Sequence, residues 1–116
     1  MRRLENVQTL TEEERRMLRE VKQAVLQHAP GAEVILYGSA ARGERGPESD
    51  YDVLVLLPEQ PTTEQEDRIS GAVYDAVFDY DMVVVSTITL AREEWSTGLV
   101  SITPYHGNVE REGVVL

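Results

Sequence analysis

The segment YDVLVLL at residues 51–57 constrains the fold of this chain more than any other. A short, almost continuous apolar run of this kind predicts a strand that is buried on both faces, as in the centre of a sheet. Asp52 interrupts the run, and an aspartate in such a strand needs a partner that offsets the cost of its burial. We therefore expect a central strand that carries a functional carboxylate near its beginning.

The flanking segments predict the other elements of an α/β domain. Residues 33–37 (EVILY) and 81–86 (DMVVVS) have the composition of strands. The sequence TEEE at residues 11–14 matches the capping box that begins a helix, and Thr62 and Thr63 are both plausible caps for a second one. The order of elements predicts a single α/β domain over residues 1–116. Beyond residue 89 we expect a short helix around residues 90–95, an interruption at Pro104 and a last helical turn over residues 108–112.

Charge and composition limit the classes of function. The 116 residues carry a formal net charge of −10, with 21 acidic and 11 basic side chains. So acidic a surface repels phosphate backbones, which disfavours autonomous nucleic-acid binding. The absence of cysteine excludes disulfides and thiolate chemistry. No stretch has the length and apolarity of a signal peptide or a membrane helix, and we expect a cytoplasmic protein without a membrane anchor.

The residues that predict chemistry lie between the first two long strands. Asp50 and Asp52 are two positions apart on a predicted strand, so both carboxylates leave the same face. Two carboxylates on one face repel unless a cation lies between them, and Mg²⁺ takes oxygen ligands of this kind together with substrate phosphates. Gly38 and Ser39 follow a strand and precede a short predicted helix, where backbone N–H groups bind phosphate oxygens. Arg42 lies one helical turn further on and can neutralise charge near this site.

The stretch GSAARGERGPESDYDVLV, residues 38–55, resembles the signature of nucleotidyltransferases of the DNA polymerase beta superfamily. The resemblance implies a palm-like domain with a mixed sheet and helices packed on it. It implies that Asp50, Asp52 and a third aspartate on a later strand bind two Mg²⁺ ions and catalyse transfer. Asp81 has that sequence context and would be a metal ligand and general base. Asp79 is its rival, but strand-like residues follow Asp81 directly, whereas Asp79 fits the end of the preceding helix.

The same resemblance implies a nucleoside triphosphate substrate, with ATP expected. The residues that would bind the nucleotide are Gly38, Ser39, Arg42 and Ser49. The attacking group would displace pyrophosphate and leave a nucleoside monophosphate on the acceptor.

The short chain resembles minimal nucleotidyltransferases, which are typically encoded beside a helical HEPN protein. We expect such a HEPN-type partner as the acceptor, and an antitoxin role for this chain. Two alternatives remain open at this point. The chain either acts on a small molecule as a homo-oligomer, or it binds a nucleotide or a partner without catalysis.

Overall fold

A computed structural model describes residues 1–44, 46, 50–81 and 83–116 of the chain. It is a compact α/β structure with one five-stranded mixed sheet, as predicted. The strands are β1 (Arg2–Arg3), β2 (Glu33–Tyr37), β3 (Tyr51–Leu57), β4 (Val85–Ala91) and β5 (Val114–Val115). The helices are α1 (Glu12–His28), α2 (Ser39–Arg42), α3 (Thr63–Val77), α4 (Arg92–Thr97) and α5 (Pro104–Glu112), with 3₁₀ turns at Leu4–Asn6 and Leu99–Ile102.

The sheet has the order β1-β5-β2-β3-β4. Strand β3 pairs antiparallel with β2 and parallel with β4, whereas β5 pairs antiparallel with β2 and parallel with β1. The apolar run at residues 51–57 thus lies inside the sheet and has the predicted bounds. Its neighbour β2 also has the predicted bounds.

Each face of the sheet carries its own core. Helices α1 and α3 cover one face, which we call the α1/α3 face, where Leu18 and Val73 pack against Val53 and Val55. Helices α4 and α5 cover the other, the α4/α5 face, where Trp95 and the strand residue Leu54 share a smaller cluster. Because strand side chains alternate, each strand residue belongs to one face only.

The predicted starts of α1 and α3 are confirmed. Thr11 Oγ1 accepts from the Glu14 backbone N–H at 3.1 Å, and the Glu14 carboxylate accepts in return from the Thr11 N–H at 3.0 Å. This reciprocal pair satisfies two N–H groups that lack partners within the helix. Of the two caps considered for α3, Thr62 is the one that serves, since its hydroxyl accepts from the Gln65 N–H at 3.1 Å.

Three predictions about the second half of the chain need correction. The third strand begins at Val85 and not at Asp81, because its parallel pairing with β3 starts at Tyr51↔Val85. The short helix begins at Arg92 and ends at Thr97. Pro104 does not interrupt the tail but occupies the first turn of α5, where its missing N–H costs no hydrogen bond.

Candidate active site

The predicted aspartate pair lies at the beginning of β3. Asp52 belongs to the strand and shares the α4/α5 face with Leu54, two positions further on. Asp50 precedes the strand and is exposed. On one side of Asp52 lies its pairing partner Tyr37 in β2, and on the other its pairing partner Ser86 in β4.

The turn between β2 and α2 closes over the Asp52 carboxylate. Gly38 has φ 78° and ψ −157°, a backbone conformation that is essentially restricted to glycine. A Cβ at this position would lie 2.5 Å from Asp52 Oδ2. Glycine is therefore required at position 38 for two reasons: its backbone conformation and the close approach of the Asp52 carboxylate. Ser39 follows as the first residue of α2.

The electrostatics of the pair favour a bound cation. Partial burial and the neighbouring charge of Asp50 raise the pKa of Asp52, while Arg42 acts in the opposite direction. A carboxylate that is partly desolvated beside a second carboxylate has an unfavourable charge that a divalent cation would neutralise. Two carboxylates at the beginning of β3 are also the hard oxygen ligands that Mg²⁺ takes together with phosphates. The residues present therefore fit the ion that the resemblance implies.

The C-terminal helix holds Arg42 in place. The Arg42 guanidinium forms ion pairs with Glu44 at 3.0 Å and with Glu112 at 3.1 Å. Arg2 in turn donates to the backbone oxygens of Ala41 and Glu112, at 2.5 Å and 3.0 Å. The two chain ends thus meet at α2. Glu112 was not predicted as a site residue, because nothing local in the sequence links it to Arg42.

An aromatic cluster lies beside Asp52 on the α4/α5 face. Tyr105 of α5 meets Tyr37 edge to face with ring centroids 5.4 Å apart, and meets Trp95 of α4 at 5.8 Å. The Trp95 indole N–H donates to Glu110 at 3.0 Å, and the Trp95 ring packs on His106 at 4.4 Å. Burial raises the pKa of both tyrosines; their mutual interaction, the next largest cause, raises the pKa of Tyr105 and lowers that of Tyr37, and the charge of Asp52 adds a smaller rise to both. Trp95 and Tyr105 therefore serve as packing on this face.

The structure does not bring Asp81 to the aspartate pair. Asp81 lies in the connection between α3 and β4 and lines a cavity of about 430 Å³ with residues at the beginning of α1, among them the cap residue Thr11 and Glu13. Within residues 1–44, 46, 50–81 and 83–116, no three His, Asp or Glu side chains are grouped so that they could hold a metal ion. Asp79 lies in the same connection as Asp81.

Two further predictions concern residues outside the described part. These are the nucleotide-binding role of Ser49 and the strand position of Met82. Within the described residues, no helix combines the length and the apolarity that crossing a bilayer would require.

The fold and this site define the chain as a nucleotidyltransferase. The family model for the nucleotidyltransferase domain matches residues 18–96, which include β2, the Gly38–Ser39 turn, Asp50, Asp52 and β4, and the chain belongs to that family. The predicted polymerase beta-like fold and transferase class are thereby confirmed.

A curated relative carries a more specific name. The chain is 41% identical over 51 residues to a candidate protein adenylyltransferase of Methanocaldococcus jannaschii. The match covers 44% of this chain and 52% of the relative, so the chain aligns with only about half of that protein's length.

Proposed function

We propose that this chain transfers AMP from ATP to a hydroxyl group on a protein, with two Mg²⁺ ions held by Asp50 and Asp52. The observation that supports it most is the joint position of the two carboxylates and the Gly38–Ser39 turn, where a Cβ at Gly38 would lie 2.5 Å from Asp52 Oδ2. The turn offers N–H groups and a hydroxyl to phosphate oxygens. The carboxylates offer oxygen ligands to a cation that the same phosphates would share.

Each group has a separate task in this proposal. Asp50 and Asp52 hold the cations, whose charge would stabilise the attacking and the leaving oxygen. Ser39 and the backbone of the turn orient the triphosphate, with Ser49 proposed as a further contact. Arg42 supplies positive charge from a position that Glu112 holds. The acceptor oxygen forms a bond to the α-phosphorus, the bond to pyrophosphate breaks, and the hydroxyl proton passes to solvent.

A protein acceptor is favoured by two observations. The relative with the similar sequence is named for adenylyl transfer to protein. In addition, Leu99 and Ile102, between α4 and α5, are 81% and 82% exposed. Large exposed apolar side chains close together in the chain are typical of protein contact surfaces. We propose a helical HEPN-type protein as this partner, with the chain acting as its antitoxin in the cytoplasm.

The test is transfer of label from α-labelled ATP. The purified chain would be incubated with the label, Mg²⁺ and either the purified helical protein encoded beside it or a lysate of the source organism. We expect a labelled protein band that disappears without Mg²⁺ and with Asp50→Asn combined with Asp52→Asn. Asp75→Asn, which removes an exposed carboxylate from α3 on the other face, is the matched control and should label fully.

Three outcomes would contradict the proposal. Labelling that persists without both aspartates would remove them from the mechanism. Label that appears only on a small molecule would mean that the acceptor is a small molecule and not a protein. If the chain binds nucleotide but gives no labelled product, it would be a binding protein without transferase activity.

A further inference from the structure

We infer that the third side chain of the aspartate site is Ser86, a hydroxyl, and that Asp81 is not a ligand of the metal site. Ser86 is a positioning residue for Asp50 in this inference. It rests on the proposed metal-dependent function and specifies which side chains form the metal site.

Strand register places Ser86 beside the pair. In the parallel ladder between β3 and β4, Asp52 is the partner of Ser86. Side chains at paired positions of adjacent strands lie on the same face of a sheet, with the strands about 4.8 Å apart. The Ser86 hydroxyl also donates to Asp50 Oδ2 across a long 3.5 Å contact. Ser86 is thus the residue of β4 that adjoins both carboxylates.

The neighbours of β4 confirm which residues share the face of Ser86. Leu90, four positions later, packs against the cluster on the α4/α5 face. The intervening residues point the other way, since Val85 packs against the core on the α1/α3 face and the Thr87 hydroxyl lies 3.0 Å from Ser70 of α3. Because side chains alternate along the strand, Ser86 lies on the α4/α5 face with Leu90.

Asp81 does not join the pair, since no three His, Asp or Glu side chains of the described residues are grouped to hold a metal ion. Val83, two residues before β4 begins, packs against the core on the α1/α3 face. Asp81 and Val83 line the same cavity, together with Met17 of α1, Tyr51 of β3 and Ala40 of α2. Tyr51 precedes Asp52 directly and therefore points to the face that Asp52 does not use. Asp81 thus lies near the beginning of α1, whereas Ser86 is the residue of β4 beside the pair.

A hydroxyl in the third position has a chemical consequence. The site offers two negative charges where three carboxylates would offer three, and cation affinity depends on the number of charged ligands. The chain alone should bind a divalent cation weakly, and the phosphates of the nucleotide should supply the missing ligands. Ser86, which is exposed, would keep the Asp50 carboxylate turned towards its neighbour.

The test is a titration of the full chain with Mn²⁺ in the absence of nucleotide. The electron paramagnetic resonance signal of free Mn²⁺ measures how much of the ion remains unbound. Ser86→Asp should tighten Mn²⁺ binding by about tenfold, because it adds a charged ligand beside Asp52. Ser86→Ala should weaken it by about two- to fivefold. Asp81→Asn should leave the affinity unchanged within twofold, and Asp50→Asn should weaken it by at least about tenfold.

The variants separate this inference from the proposed function. The inference would be overturned if Asp81→Asn weakened Mn²⁺ binding as much as Asp50→Asn does, or if Ser86→Asp did not tighten Mn²⁺ binding. Either result would leave the proposed metal-dependent function intact. Asp50→Asn without effect would overturn the metal role itself. The rise in Tm that Mn²⁺ produces in each variant is the second readout. A folded variant reports through this shift even if its overall stability differs from that of the parent.

Discussion

Gly38 is the position where a single methyl group should affect both the fold and the site. Its φ of 78° and ψ of −157° lie in a region that costs a residue with a Cβ about 1–3 kcal/mol. The new Cβ would also lie 2.5 Å from Asp52 Oδ2. The carboxylate must then leave its rotamer, which costs about 0.5–1.5 kcal/mol more. The entropy that alanine removes from the unfolded chain returns about 0.4–1 kcal/mol.

We therefore expect Gly38→Ala to lower the free energy of unfolding by about 2 kcal/mol, which corresponds to a Tm lower by roughly 10 °C for a domain of this size. Urea unfolding followed by circular dichroism would measure it. The matched control is Gly71→Ala, in the middle of α3, where an added Cβ meets no atom within 4 Å in the described structure. That variant should instead be more stable by about 0.5–1 kcal/mol.

A double-mutant cycle isolates the contact with Asp52. In an Asp52→Ala background the added methyl group no longer meets a carboxylate, so Gly38→Ala should cost about 1 kcal/mol less than in the parent chain. Only the backbone cost remains there. An equal cost in both backgrounds would refute the close approach as the reason for glycine. A cost no larger than that of an ordinary surface substitution would refute the backbone argument as well.

Three further changes test other parts of the structure. Asp52→Asn should stabilise the metal-free chain at neutral pH, because the pKa of Asp52 is raised in the folded state and its ionised form therefore disfavours folding. This destabilisation is present above the folded-state pKa and is lost as the pH falls through it towards about 4, so the gain in unfolding free energy, measured by urea titration, should shrink over the same range. Glu112→Gln should free Arg42 from one of its two ion pairs and raise the KM for ATP by about two- to fivefold in the labelling assay. The Tm should change little, since exposed ion pairs contribute at most about 1 kcal/mol to stability. An unchanged KM would exclude a positioning role for Glu112. Thr11→Ala should lower the free energy of unfolding by about 1 kcal/mol through loss of the α1 cap, whereas Thr11→Ser should retain most of the stability that the cap provides. Equal losses of stability in both variants would exclude the cap as the cause.

The proposed function and the inference about Ser86 lead to different experiments on the same face of the sheet. If the site has only two carboxylates, the chain should bind Mg²⁺ mainly together with the nucleotide, and its affinity for nucleotide should depend steeply on Mg²⁺. The exposed Leu99 and Ile102 then become the natural positions at which to disrupt contact with a partner. Substituting them with serine should reduce transfer to a protein without changing the binding of ATP.

The sequence alone determined the features that depend on neighbours along the chain. The bounds of β2 and β3 and the capping box at Thr11 follow from local periodicity and from side-chain chemistry within a few residues. The turn at Gly38 was predicted in the same way. These features sufficed to indicate the family.

The tertiary structure decided what depends on pairing between distant segments. The apolar run after Asp81 is compatible with a strand that starts at residue 81, and only its pairing with β3 moves the start to Val85 and places Ser86 beside Asp52. The ion pair between Arg42 and Glu112 joins residues 70 positions apart. Periodicity reports which residues share a face of one strand. The face of the sheet and the register with the next strand are set by packing against α1, α3, α4 and α5, which no local pattern encodes.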